Sequence, residues 1–213
     1  MGGEAPLTLL LHLEGPLQSW GVGPRLDWRE TAPYPTKSGV VGLLANALGR
    51  RRTEDLADLA SLRMGVAVLR EGRPLLDLQT VRGVARVDGG RKDKVTWRRY
   101  LQDAAFLVGL EGPASLLEGL HEALRNPARA LYLGRRGCLP SPPPYLPDGL
   151  VPLPLEEALG EKLSRMGLRR PVRLLLEGEE EEVVHDQPVD FVRRALLPRR
   201  VRRGVWTPEG GLG

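Results

Sequence analysis

Cysteine is almost missing from the sequence: 213 residues hold one, Cys138. A single thiol excludes an internal disulfide framework and a four-thiolate zinc site. Histidine is scarce as well. His12, His121 and His185 stand far apart, with no metal-ligand spacing, and no cofactor is expected. Of 31 basic residues only Lys37, Lys92, Lys94 and Lys162 are lysine, so 27 are arginine. Long apolar runs are missing too. The longest, Leu7–Leu11 and Val40–Ala45, fall far short of the roughly 20 residues that cross a bilayer. The amino-terminal stretch carries Glu4 and Glu14 and no basic leader, so no secretory signal is expected. Met1-Gly2 begins a myristoylation-like pattern, but Pro6 stands where Ser or Thr is needed. The expectation is a cytoplasmic protein with no membrane partner.

Enzyme motifs are absent in the same way. Thr36-Lys37-Ser38 looks like the end of a P-loop, but the glycine before Lys37 and the upstream glycine spacing are missing. Gly21-Val22-Gly23 begins a dinucleotide fingerprint, and Leu26 occupies its third glycine position. No nucleophile elbow, zinc signature or paired-carboxylate constellation is visible. The sequence gives no positive sign of an enzyme.

What is present is apolar content and arginine. Hydrophobic residues make up 41% and charged residues 27% of a 23.4 kDa chain. A chain of this size buries roughly 70% of its unfolded surface, enough for one large domain or two small ones. Net charge is +4 and the pI is near 9.6. Arginine's planar fork binds phosphate bidentately and stacks on bases, so the surplus is compatible with nucleic-acid binding. Codon bias in a GC-rich genome accounts for the same surplus. Composition leaves both readings open.

Periodicity divides the chain into an α+β order. Leu7–Leu13 reads as a buried strand, with His12 a packed or edge histidine. Residues 15–36 show no period and read as a long loop. Val40, Val41, Leu43, Leu44, Ala47 and Leu48 share one helical face, with Thr36 or Ser38 as N-cap and Gly49 as the stop. A second short helix is predicted from Thr53 to about Leu62. Met64–Leu69 and Leu75–Val81 read as strands. Residues 82–99 hold seven basic side chains, among them Arg82, Arg86 and Arg91, against Asp88 and Asp93, with Gly89-Gly90 between. That pattern predicts a basic hairpin or protrusion. Ala104–Leu110 is a core strand, a helix carrying His121 follows Gly112-Pro113, and Ala130–Leu133 is a short strand. The order β-α-β-β-α-β, with an insertion before the third core strand, is that of the ferredoxin-like split motif. Seven prolines in Pro140–Pro154 suggest a stiff linker. A helix at Leu155–Met166 follows. Then come paired strands, Val172–Leu176 and Val183–Val184, flanking an acidic turn, Glu177–Glu182.

Three elements support nucleic-acid binding. Thr36, Lys37 and Ser38 open a helix whose free N–H groups would make an anion site; a plain N-cap is the competing account. Gly134-Arg135-Arg136-Gly137 lets backbone approach a phosphate between two guanidiniums; a solvated turn is the alternative. Trp20, Trp28 and Tyr34 share a loop with Gln18, Arg25 and Arg29. Such aromatics can stack on unpaired bases, or pack in the core.

Four blocks carry a resemblance: Leu13–Gly21, Pro35–Leu44, Thr96–Phe106 and Tyr132–Cys138, in that order, with a weaker continuation at Pro198-Arg199 and Trp206. Together they resemble the signatures of the CasD family, RAMP subunits of the type I-E CRISPR surveillance complex Cascade. The resemblance implies a ferredoxin-like (RRM-like, RAMP) domain over 1–140 with an inserted basic thumb hairpin at 82–103. A Pro-rich linker at 141–154 and a small carboxyl-terminal β-rich subdomain at 155–213 complete the expected layout. It implies a non-catalytic subunit that holds the 5′ handle of CRISPR RNA and grips the neighbouring backbone subunit. The complex's large subunit would be a further partner, and target DNA only an indirect one. Gln18 and Trp20 would read or stack bases, and Thr36, Lys37, Ser38, Arg135 and Arg136 would hold phosphates. Arg98 and Tyr100 would join them from the base of the thumb. A related subtype uses its equivalent subunit as a metal-independent endoribonuclease on precursor CRISPR RNA. That alternative would need His12, His121 or Tyr100 as a base.

Overall fold

The structure, a computed structural model, describes residues 6–23, 27–85, 87 and 89–212. The expectations for Met1, Gly2, Glu4, Arg25, Leu26, Arg86 and Asp88 lie outside the described residues. The strands are β1 Leu7–Glu14, β2 Leu17–Gln18, β3 Trp20–Val22, β4 Trp28–Ala32, β5 Arg63–Arg70, β6 Arg73–Ala85, β7 Arg91–Gln102, β8 Ala105–Gly112, β9 Tyr145–Val151, β10 Val172–Asp190, β11 Ala195–Thr207 and β12 Gly211–Leu212. The helices are α1 Lys37–Ala47, α2 Ala57–Ala60, α3 Ala114–Arg125 and α4 Leu155–Arg165. The fold is mixed α+β and rich in strand.

One antiparallel sheet runs β12-β11-β10-β5-β8-β1-β9. Alternation along its central strands separates two cores, because successive side chains point to opposite faces. Leu9, Leu11, Leu13, Val66, Phe106, Val108 and Leu110 face α1, α2 and α3. Leu10, Ala67, Ala105, Leu107, Leu174 and Leu176 face α4 through Leu155, Leu159 and Leu163. Fully burying each such leucine stabilises the fold by about 1.5–3 kcal/mol. Burial on both faces explains why the strands read as continuous apolar runs.

Six expectations change. The loop at 15–36 carries three short strands, β2 to β4, which pair with β7 or with each other. They are too short and too mixed in burial to show a period. Leu75–Val81 is not a separate strand. It is part of the first arm of a hairpin, β6 paired to β7, that starts at Arg73 rather than 82. Ala130–Leu133 is not a strand. Its backbone is spent locally: Leu133 N–H donates to Cys138 O, and Leu133 O accepts from Ser19 N–H.

The segment expected as a linker, 141–154, instead contributes β9 to the sheet beside β1. Proline is tolerated there because β9 is an edge strand and Pro147 need donate nothing outward. The carboxyl-terminal region is not a separate sheet, since β10 pairs directly with β5. Val172–Leu176 and Val183–Val184 belong to one strand, and the acidic run between them is a bulge. Glu177 and Glu182 both oppose Val201 of β11.

Candidate nucleic-acid interface

Each predicted contact residue was placed by its neighbours, and the first two are spent on the core. Gln18 is fully buried. Its Nε2 donates to Ala104 O (2.7 Å) and Leu13 O (3.4 Å), and its Oε1 accepts from Trp20 Nε1 at 3.0 Å. Trp20 is also at 0% exposure. Its ring lies so close to α1 that a Cβ on Gly39 would sit 2.7 Å from Trp20 Cε3. Neither side chain can reach a base; they fasten the loop to the helix. Trp28 instead stacks on Trp97 of the hairpin, centroids 5.5 Å apart, with Arg99 over its ring. Tyr34 packs half-buried against the core.

The start of α1 is likewise closed. Thr36 is the N-cap, accepting from Gly39 N–H at 3.3 Å, and is buried. The Lys37 N–H that would meet an outside anion donates to Asp186 Oδ2 at 2.8 Å. Arg199 holds Asp186 by a two-point bridge of 2.6 and 3.0 Å. The Lys37 ammonium is 2% exposed and donates to both oxygens of Glu177, at 2.7 and 2.9 Å. Burial pushes Lys37 below the usual lysine range, and the Glu177 hydrogen bond opposes that shift. Helix dipole, carboxylate and guanidinium therefore complete an internal anion site. Lys37 is not a phosphate ligand in this geometry. Ser38, half-buried beside it, lines an open groove.

That groove is where the remaining residues meet. Gly134 takes φ +89°, and a Cβ there would lie 1.8 Å from Ser19 O, so only glycine lets the 134–137 loop rest on the Ser19 backbone. The contact sets Arg135 over the Tyr100 ring, 5.0 Å from its centroid. Arg98 comes in from β7, Arg29 from β4, and Arg194 from the turn between β10 and β11. Burial, then repulsion from Arg98, Arg135 and Arg194, holds Arg29 below the usual arginine range. Arg98 Nε and Arg135 Nη1 are buried without a hydrogen-bond partner. Three adjoining cavities, of about 740, 280 and 610 Å³, share lining residues and form one trough. It runs from Arg29, Arg193 and Arg194, across Gly21, Gly39 and Gly134, to Arg51, Arg52, Arg129 and Arg136. Glu30 is the one carboxylate among its described lining residues.

An arginine-lined trough with a glycine floor suits an extended phosphate backbone. His185 lines the trough beside Arg193 and Arg194, whereas the other two histidines are engaged elsewhere. His12 contacts Glu14 at 3.3 Å, with burial lowering its pKa; His121 contacts Leu146 O at 3.0 Å and stacks on Tyr145. Among the described residues no cluster of three or more metal-ligating side chains occurs.

The family profile described as "CRISPR-associated protein (Cas_Cas5)" matches residues 8–204. The chain belongs to the Cas5 family of CRISPR-associated proteins. It is 35% identical over 156 residues to the CRISPR system Cascade subunit CasD of Escherichia coli (strain K12), covering 65% of this chain and 69% of that one. A solved Cas protein superposes with a TM-score of 0.78 at 50% identity, covering 95% of this chain and 96% of that one. A chain of a CRISPR RNA-guided surveillance complex superposes with a TM-score of 0.75 at 28% identity, covering 96% and 95%. Of the contact residues expected for this Cas5 chain, Ser38, Arg135 and Arg136 line the trough, with Tyr100 under Arg135 and Arg98 near Arg29. Gln18, Trp20, Thr36 and Lys37 form its hidden support, although a Thr36 atom reaches the floor. Arg51, Arg52, Arg129, Arg193 and Arg194 also line the trough and were not among the expected residues. Their signal was visible as the runs Arg50-Arg51-Arg52 and Arg193-Arg194, but nothing in sequence places those runs on one wall.

Proposed function

We propose that this chain is a non-catalytic RNA-binding subunit of a type I-E CRISPR surveillance complex, holding the 5′ handle of the guide RNA in the arginine trough. The observation that carries the reading is the pair of buried guanidinium N–H groups, on Arg98 and Arg135, left unpaired beside Arg29. An unmet buried donor costs about 1–3 kcal/mol. A phosphate drawing these side chains toward it on binding would offset that cost and neutralise the crowded charge. The strand order β5-β8-β1-β9, with α1 and α3 on one face, supports a ferredoxin-like core of the RNA-recognition kind. The β6–β7 hairpin would be the thumb against the neighbouring backbone subunit, and the large subunit a further contact. Target DNA would be met only through the assembled complex. Among the described residues no helix is long and apolar enough to cross a membrane, in keeping with a cytoplasmic setting.

Single-stranded RNA exposes its phosphates and base faces, so a trough of this kind needs no groove geometry to read. Holding requires no proton transfer, and His12, His121 and Tyr100 are committed to separate contacts. The test is binding of a fluorescent handle RNA to the full chain across a salt series. With about four phosphate contacts the slope of log affinity against log salt should be near −3, and gel analysis should find the RNA uncut. A slope near zero, or strand scission by the purified chain, overturns the proposal.

A further inference from the structure

The cavity at the α1 end of the trough differs from the rest. At about 610 Å³ it has room for a whole nucleotide, and its lining mixes chemistries: Asn46 from α1, Tyr132, and the guanidiniums of Arg51 and Arg136. Neighbouring arginines are committed. Arg50 is bridged to Asp58, Arg52 donates to Phe191 O, and Arg129 donates to Arg50 O. By contrast, among the described residues no hydrogen bond or ion pair engages the Asn46 amide, the Tyr132 hydroxyl, or the guanidiniums of Arg51 and Arg136. Four polar side chains thus line one chamber with their bonding capacity unspent. Asn46 is half-buried on a helix whose other side packs in the core, so its backbone is fixed beside the chamber.

Resting on the RNA-holding reading above, we propose that this chamber seats one splayed-out nucleotide of the bound RNA and selects its base. Arg51 and Arg136 take the phosphate. Tyr132 offers a ring face for stacking. The Asn46 amide presents a donor beside an acceptor, which pairs with a base edge carrying the complementary couple, as adenine does. Selectivity at this position comes from Asn46, because guanidiniums and ring faces accept every nucleotide.

The experiment uses the full chain and a set of short single-stranded RNAs of handle sequence, each with one abasic nucleotide, moved through every position. One position should cost about ten-fold or more in affinity and the others little, as loss of a stacked, hydrogen-bonded base does. Asn46→Ala should abolish the preference for one base there and reduce the penalty by its hydrogen-bonded share, leaving the share from stacking on Tyr132, while melting like the parent chain. Asn46→Asp, which exchanges the amide's donor for a second acceptor, should alter which base is preferred. A penalty spread evenly over all positions, or one unchanged by both variants, overturns the chamber and leaves the trough standing. Affinity unaffected by Arg51→Ala and Arg136→Ala would instead assign the cavity to an acidic protein partner. No RNA binding by the parent chain would remove the trough and the chamber together.

Discussion

Replacing Lys37 by methionine separates the motif reading of this residue from the structural one. As a phosphate ligand, Lys37 would contribute about 0.7 to the salt slope and little to stability. In the structure it neutralises Glu177, whose Oε2 also accepts from Met64 N–H at 3.0 Å. Removing one partner of a buried pair costs about 3–5 kcal/mol. Glu177 keeps 21% exposure and has Arg199 at 3.9 Å, so the cost belongs near the lower end, about 3 kcal/mol. For a domain of this length that lowers Tm by about 6–12 °C. The salt slope, measured well below the new Tm, should stay within about 0.3 of the parent value. A variant that melts like the parent and loses about 0.7 of slope would refute the reasoning and return Lys37 to the RNA.

Two further outcomes follow from the geometry. Gly134→Ala should weaken RNA binding at least ten-fold. The left-handed backbone costs a non-glycine residue about 1–2 kcal/mol, and the new Cβ would lie 1.8 Å from Ser19 O, forcing Arg135 off Tyr100; unchanged affinity would refute the support role given to this loop. Glu156 is held below the usual carboxylate range, first by its hydrogen bond to Arg63, against the opposing effect of burial. A carboxyl depressed in the folded state adds stability that is full above its unfolded value near 4.5 and is lost as pH falls through the folded value. Glu156→Gln should therefore lower stability at pH 7 and flatten its fall in that acid window, as followed by urea unfolding.

The layers of the fold were legible because core burial writes a period. Leu7–Leu13, Met64–Leu69 and Ala104–Leu110 are β1, β5 and β8 to within a residue or two, and the Thr36 cap is where a hydroxyl before an apolar face predicts it. What failed were pairings that depend on distant partners. β9 hides in a proline-rich stretch because an edge strand can do without alternate donors. The first arm of the β6–β7 hairpin looked like a core strand because Leu76, Leu78 and Val81 are apolar yet about half exposed. The site failed in a related way. Gln18, Trp20 and Lys37 carry the chemistry of contact residues, and only the folded chain shows that Ala104 O, the α1 backbone and Glu177 have already claimed them.

The same folded chain bears on the two accounts of the arginine surplus. Genomic bias would scatter arginine without regard to partners. Away from the trough, several arginines meet carboxylates: Arg63 with Glu156, Arg70 with Glu14, Arg173 with Glu71, Arg199 with Asp186 and Arg203 with Glu182. Along it, Arg51, Arg135, Arg136 and Arg194 have no carboxylate within 4 Å among the described residues. Like charges gathered around Arg29 are destabilising in the isolated chain, so that wall carries a cost which an anionic ligand removes. The sorting is incomplete, since Arg50 and Arg193 line the trough and still meet Asp58 and Asp190, but the four unpaired guanidiniums concentrate positive field along the trough.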